Sequence, residues 1–381
     1  MTNILVVNSG SSSLKLTLFQ FVQGKHHLLF EANLKGMKIA EGLGLALEKL
    51  GSSSLAGIGH RVVHGGDRYR SSTPITKEVL RDIQELTHLA PLHNAACLEG
   101  IMACYSFFGE EIPQVAVFDT AFHSSLPDVA SHYAISKEIT EKHKIKRYGF
   151  HGISHAFLWN TYAQAQAKII TMHLGAGCSM CAIRDGVSID TSMGFTPAEG
   201  LVMATRAGDV DAALVEFLAL HEKKSASEIM KLLNGHSGLL GLSGVSADMQ
   251  QVVSVYEKNA SARLAVDLFC YRIVKYIGAY LAVLQGAEAL IFSGGIGENA
   301  VSIRSKIIDK MAWYGVKMDE KANACAVGMF GGEIRKISAA DSSVAVYVVA
   351  TEENLFIARE VLRLNDKKRP KRQTTQTTKK T

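Results

Sequence analysis

The chain has 381 residues, of which 47% are hydrophobic, 20% are charged and only 6 are proline. That is enough for about two domains with full cores, and it argues against extensive disorder. The net charge of +5 is unevenly placed: Lys367 to Thr381 carries seven Lys or Arg and no acid, and without it the remainder is about −2. The basic balance therefore reflects a tail and excludes a broad basic face for nucleic acid. With no aromatic residue for base stacking, the tail reads as a disordered, solvated extension.

The most apolar stretch, Ile277 to Phe292, is interrupted by Gln285 and Glu288, and the chain does not open on a basic segment followed by an apolar core. We therefore expect no membrane span and no signal peptide. Six cysteines lie mostly within apolar segments, which suits reduced thiols in a cytoplasmic protein.

The first elements are two short apolar runs around a turn, Ile4-Leu-Val-Val-Asn8-Ser9-Gly10-Ser11-Ser12-Ser13-Leu14-Lys15, continuing to Phe19. They read as paired strands. Gly10 permits a positive φ, and serine hydroxyls, amides and Lys15 could cradle phosphate oxygens; a polar hairpin without a ligand is the bland alternative. A third strand is expected over 26–33 and a short helix over 41–50. A strand ending in His60-Arg61-Val-Val-His-Gly-Gly66 places an arginine beside a flexible turn, a setting suited to carboxylate or phosphate. Residues 76–89 have helical periodicity, Ala90-Pro91-Leu92-His93-Asn94 is expected to break it, and 95–108 is a further helix. Gln114 to Phe118 is a buried strand, with Asp119 at its end, where α/β proteins place chemistry or a helix cap.

His151 and His155, followed by Cys178 and Cys181, imitate a zinc set, but the thiols lie three apart in a strand and face opposite sides of a sheet. Lys168 to Gly186 then repeats the opening hairpin: strand, glycine turn, hydroxyl residues, strand, glycine turn. Downstream, Glu288 to Gly295 is read as repeating the strand and loop of 114–120. The order implies an internal duplication. Its expected form is an α/β, duplicated βββαβαβα fold of the actin, hexokinase and Hsp70 type (ribonuclease H-like), with two domains around a nucleotide cleft. The boundaries read as 1–123 plus 355–366, then 124–354, then the tail 367–381.

Between these repeats, Asp190 to Asp211 is a long glycine-punctuated loop. Helices are expected over 211–222, 225–234, 259–285 and 353–364, with strands near 316–318, 334–337 and 344–349. Gly295-Ile296-Gly297-Glu298-Asn299-Ala300 follows a strand and opens a helix, as a dinucleotide fingerprint does. The glycines serve equally to bring backbone to ATP phosphates, and no Walker-type sequence exists.

Taken together and in order, the motifs resemble the acetate and propionate kinases, from Asn3 to about Arg363. They are Asn8 to Lys15, His60 to Gly66, Ala90 to Asn94, Phe118-Asp-Thr-Ala-Phe-His123, Tyr148-Gly-Phe-His-Gly152, His173-Leu-Gly175, Asp190 to Pro197, Gly238-Leu-Leu-Gly241, Gly294 to Asn299 and Thr351-Glu-Glu353. The resemblance implies a transfer of phosphate from ATP to acetate, with propionate, another short-chain acid or a pyrophosphate donor as variants. Asn8 and Glu353 fall at the family's Mg2+ site, which Mn2+ could also fill. Ser11, Ser13, Lys15, His173, Leu174, Gly175, Ala176, Gly177, Asp248, Met249, Gln250, Gly295, Ile296, Gly297, Glu298 and Asn299 fall where the family holds ATP or ADP. Arg61 matches the carboxylate-binding arginine, and Val63, Leu92, Phe150 and Pro197 match the pocket for the acyl methyl. Asp119, His151 and Arg206 match the catalytic groups.

The resemblance also implies a homodimer. The chain departs from the family's usual residues at Ala176, Cys178 and Gln250, which bears on the phosphoryl donor, and the segment 25–55 is shorter than usual. An actin-like ATPase acting as a binding module, or an NAD-dependent enzyme resting on the Gly295 loop, would be the readings from other classes.

Overall fold

The computed structural model describes residues 1–9, 13–35, 39–50 and 54–368. Two compact units emerge. One comprises Met1–Gly65, Ser71–Phe118 and the chain from Asn354 on; the other comprises Gly66–Arg70 and Asp119–Glu353.

The first unit is built on β1 (Thr2–Ser9), β2 (Ser13–Val22), β3 (Lys25–Lys35), β4 (Leu55–Val62), β5 (Thr73–Pro74) and β6 (Gln114–Phe118), in the order β3-β2-β1-β4-β6-β5. The first three strands form an antiparallel meander; β4 and β6 run parallel to β1. Ile4 to Val7 and all of β6 are buried, as continuous β-branched runs in a two-sided sheet must be. One face packs Leu5, Val7, Leu16, Leu18 and Ile58 against Leu43 of the helix Ile39–Leu50 and Cys104 of the helix Pro91–Phe108. The helix Glu353–Lys368 lies close on β4. A Cβ added at Gly59 would lie 2.5 Å from Ile357, so glycine sets the approach of helix to sheet. Asn354 Nδ2 donates to Thr17 Oγ1 (2.7 Å), and Asn365 Nδ2 donates to the Ala56 carbonyl (3.0 Å).

The second unit has β7 (Lys168–Leu174), β8 (Cys178–Arg184), β9 (Val187–Thr191), β10 (Ala289–Ser293), β11 (Ile334–Lys336) and β12 (Ala345–Val349), in the order β11-β12-β10-β7-β8-β9. From its other end this is the first sheet again, strand for strand, with parallel and antiparallel pairs in the same places. The helix Ala260–Leu284 packs across β7, β8 and β9, burying Phe269, Ile273 and Ile277.

The duplication is real, but one assignment within it is corrected. By sheet position β10 is the counterpart of β4, and β12 is the counterpart of β6. The loop at Gly294-Gly295 therefore answers to Gly65-Gly66, and the segment after Asp119 answers to Thr351 onward. A strand followed by glycines looks alike in both places, and only the sheet order separates them. Pro91 does not break a helix but begins one, at the first position where its missing N–H costs nothing. Residues 316–318 make only an isolated bridge, Met318 to Ser338. The span 237–248 includes a short helix, Gly238–Ser243. The last helix runs to Lys368, into the stretch expected as tail; residues 369–381 lie outside the described ones.

Candidate active site

Asp119 follows β6 directly and is buried. Its Oδ2 accepts from the His151 amide (3.0 Å), its Oδ1 from the Ile153 amide (3.4 Å), and its carbonyl from the Gly152 amide (2.9 Å). It thus caps the helix Gly152–Tyr162, whose positive end favours a carboxylate. His151 has φ 57°, and this left-handed turn aims the amides back at Asp119. A Cβ at Gly152 would lie 2.2 Å from the Asp119 carbonyl oxygen, so no other residue fits there.

The His151 ring carries Nδ1 2.9 Å from Ser179 Oγ and stands beside the His173 ring, 4.5 Å between centroids. His173 Nδ1 in turn meets Ser154 Oγ at 2.8 Å. The tip of the β7–β8 hairpin, Gly175 to Gly177, comes up against this pair. A Cβ at Gly177 would lie 3.3 Å from His151 Nε2 and 3.7 Å from Arg206 Nη1. Asp119, His151 and Arg206 are therefore brought to one place in the second unit. Burial lowers the affinity of the Arg206 guanidinium for its proton, and Nη1 donates to the Pro197 carbonyl at 3.0 Å.

The loop that carries Arg206 is held by charges that the sequence reading did not single out. Arg147 donates to the carbonyls of Thr191 (3.1 Å) and Met193 (3.2 Å) and pairs with Glu199 at 2.5 Å, and Glu199 also accepts from the Tyr133 hydroxyl. Asp209 accepts from the Gly200 amide (2.8 Å) and the Tyr276 hydroxyl (2.9 Å) and pairs with Arg272 at 3.2 Å. The available signal was a run of isolated charges at the ends of a long loop, which looks like solvation until the partners are known.

On the other side of the hairpin tip lies a cleft of about 1060 Å³. Gly175, Ala176, Asp248, Met249, Gln250, Gly295, Ile296 and Asn299 line it, with Ala204, Ala247, Val253 and Val301. Eight of the residues read from sequence as nucleotide ligands are thus assembled by three separate segments. Leu174, Gly297 and Glu298 support the cleft without lining it. Gly294 (φ 76°) packs on the Leu174 backbone, where a Cβ would approach to 2.7 Å. Glu298 turns its carboxylate inward to accept from the amides of Gly294 (2.9 Å) and Thr351 (3.0 Å). Beneath them, fully buried Arg304 donates to the carbonyls of Gly297 (2.9 Å), Glu298 (2.7 Å), Asn323 (2.8 Å) and Ala326 (3.1 Å), and to Asn323 Oδ1 (2.7 Å). Burial pushes this guanidinium down to about 10, yet five acceptors keep it charged and in place.

In the first unit, Asn8 pairs across the sheet with Lys15, and Lys15 forms a half-exposed ion pair with Glu31. Arg61 sits in β4 opposite Val117, and Val63 follows it, buried. The loop after β4 is fixed by Asn94, which accepts from the His64 amide (3.2 Å) and donates to the His64 carbonyl (3.1 Å). Leu92 is in the helix Pro91–Phe108, and Ser13 opens β2. Ser11 lies outside the described residues. Phe150, buried, and Pro197, partly exposed, belong to the second unit.

The model of the acetokinase family matches residues 31–359. The chain belongs to the acetokinase family. The acetate kinase of Acetivibrio thermocellus is 42% identical to it over 400 residues, which span 95% of this chain and 99% of that one. The crystal structure of Porphyromonas gingivalis acetate kinase superposes with a TM-score of 0.88 at 35% identity, covering 96% of this chain and all of that one. A propionate kinase structure from Francisella tularensis gives 0.86 at 37% identity, covering 94% and 99%. These likenesses carry the actin-like ATPase fold expected from the duplicated strands.

Among the described residues of this acetokinase-family chain, no three His, Cys, Asp or Glu converge as a metal cage. Asn8 and Glu353 offer an amide oxygen and a carboxylate. Such hard donors suit magnesium or manganese, which bind through few protein groups and take the rest of their shell from water and phosphate. No helix among the described residues is long and apolar enough to cross a membrane.

Proposed function

We propose that the enzyme transfers the γ-phosphoryl group of ATP to acetate, in either direction, by direct in-line displacement. The observation that carries this is the hairpin tip Gly175 to Gly177, which has the cleft on one side and the His151 and Arg206 side chains on the other. Acetate, with a pKa near that of a Glu side chain (about 4.3), is ionised at pH 7 and needs no base to attack. That leaves Asp119 a role other than proton acceptor. The difficulty is one anion approaching another, so the site must supply positive charge and alignment.

An acetate oxygen forms the new bond to the γ-phosphorus as the bond to the bridging oxygen of ADP breaks. Arg206 and His151 offset charge on the equatorial oxygens, Arg61 holds the acetate carboxylate, and Val63, Leu92, Phe150 and Pro197 enclose its methyl. Asp119 anchors the turn that aims His151. The nucleotide lies in the cleft, its phosphates against the glycines at 175–177 and 295 and its base among Met249, Val253 and Ile296. Magnesium, held by Asn8, Glu353 and phosphate oxygens, would neutralise charge on the polyphosphate.

The test is the trapping of acyl phosphate with hydroxylamine, using acetate, propionate and butyrate in turn, with ATP and then pyrophosphate as donor. Acetyl hydroxamate is expected with ATP and not with pyrophosphate; hydroxamate from no acid would overturn the reading. Likeness to a propionate kinase supports turnover of propionate as well, because one methylene in an apolar pocket discriminates by only about 1–3 kcal/mol.

We further infer a homodimer. No residue of the helix Ala213–His221 is buried, and Phe217 and Leu220 are 53% and 69% exposed, with Leu214 on the same face. Leu220→Glu should give a monomer by analytical ultracentrifugation; an unchanged species would exclude this helix. The cytoplasm is the proposed location: the cysteines are unpaired, and burial raises the thiols of Cys97, Cys104, Cys178 and Cys270 to about 12, as in inert core residues.

A further inference from the structure

Behind His151 the polar side chains form a line whose direction can be worked out donor by donor. It begins at the Cys181 carbonyl in β8. A carbonyl only accepts, so the Thr171 hydroxyl beside it (3.4 Å) donates there. Its oxygen then accepts from His155 Nδ1, 2.7 Å away. His155 is completely buried, which holds its pKa well below the usual value and leaves the ring neutral. A neutral ring has one N–H. With Nδ1 protonated, His155 Nε2 must accept, and the group it meets is Ser179 Oγ at 2.9 Å. The Ser179 proton is then spent, so its oxygen accepts from His151 Nδ1 at 2.9 Å.

From this order of bonds we propose that Thr171, His155 and Ser179 are positioning residues that hold His151 as its Nδ1–H form. The inference rests on the catalytic reading of His151 given above and deepens it. In that form the atom facing Gly177 and Arg206, Nε2, carries a lone pair unless the ring gains a second proton. His151 therefore donates to the transferring group only as imidazolium. The bond to Ser179 is the same in both states, so proton uptake at Nε2 requires no rearrangement behind it. The charged or titratable groups facing the ring within this unit are His173 from β7, Arg206 from its loop, and Asp119 at the end of β6. Arg206 opposes the second proton, and the Asp119 carboxylate and an arriving phosphate favour it.

Without this line of bonds the ring could turn over or change tautomer, so that the neutral form would satisfy Nε2 and no cation would be needed. The relay joins three elements that sequence keeps apart: β7, β8 and the helix Gly152–Tyr162.

The decisive measurement is a side-chain ¹⁵N–¹H correlation spectrum of the full-length protein at alkaline pH, with His151 assigned by its loss in His151→Asn. The wild type should show a protonated Nδ1 and a bare Nε2. A wild-type spectrum with Nε2 protonated overturns the proposal without recourse to any variant. In Ser179→Ala the His151 pattern should shift toward Nε2–H, and kcat with acetate should fall about tenfold, as for lost supporting partners, with KM nearly unchanged. An unchanged His151 pattern in that variant also overturns it. If His151→Ala keeps full activity while the wild-type spectrum is as expected, the relay stands and the catalytic reading of His151 falls.

Discussion

The two sheets share one topology and differ in what fills it. In the first unit the hairpin β1–β2 is apolar inside: Leu5, Val7, Leu16 and Leu18 join a cluster with Leu43 and Ile58. In the second, the equivalent hairpin β7–β8 carries Thr171, His173 and Ser179, bonded to His155, Ser154 and His151. An apolar core is tolerant: it contributes stability in proportion to area and accepts repacking. A buried polar line is intolerant, since each member must be satisfied, but it fixes orientations that packing alone leaves loose. The duplication supplied one scaffold twice; one copy kept a packing hairpin, and the other built a hairpin that aims side chains.

Substitutions should separate the two kinds of hairpin. The largest effect is expected at Arg206→Ala, with kcat for acetyl phosphate formation lower by about a thousandfold, in the range of arginine fingers, and the unfolding midpoint little changed. Near-normal turnover would remove Arg206 from the mechanism. Leu16→Ala should do the reverse, costing about 2–5 kcal/mol in urea unfolding while the refolded enzyme keeps its kcat. Glu298→Ala leaves the Gly294 and Thr351 amides without their acceptor and should raise the KM for ATP roughly tenfold, matching 1–3 kcal/mol for unmade bonds; an unchanged KM would mean the loop holds itself. The smallest effect is expected at Glu31→Gln, whose half-exposed pair with Lys15 should contribute less than about 1 kcal/mol to stability.

Acid distinguishes the units as well. His60 in the first and His123 in the second are buried and held down to about 4, and His155 in the second is also lowered. Unfolded, each binds a proton at about 6.5, so their contribution is complete above that pH and is lost as pH falls toward 4. With two such groups against one, the second unit should lose hydrogen-exchange protection first on acidification. Simultaneous loss would mean the units unfold together.

Much of this was legible in the sequence where local pattern suffices. Continuous apolar runs marked β1, β6, β7 and β10, and the repeated strand–glycine–strand order marked the duplication. What misled was whatever needs the sheet to decide. Glu288 to Gly295 matches 114–120 as a string, yet β10 takes the place of β4. Pro91 is a helix breaker in an interior and a helix starter at the first position, and sequence alone did not say which applied. Among the site residues, glycine turns and the arginine at 206 stood out because their chemistry is rare. Ser179, Thr171 and Arg304 did not, since a serine or threonine in a strand and an arginine in a helix are ordinary until register brings partners to them.

The last helix, Glu353–Lys368, also orders events in time. It packs on β4 through Gly57 and Gly59 and bonds to Thr17 and Ala56, so the sheet formed by the earliest residues lacks one covering layer until the final residues are made. The second unit, by contrast, is nearly all one uninterrupted stretch, 119–353. On a ribosome the middle of the chain can close on itself first, and the part synthesised first is the part finished last.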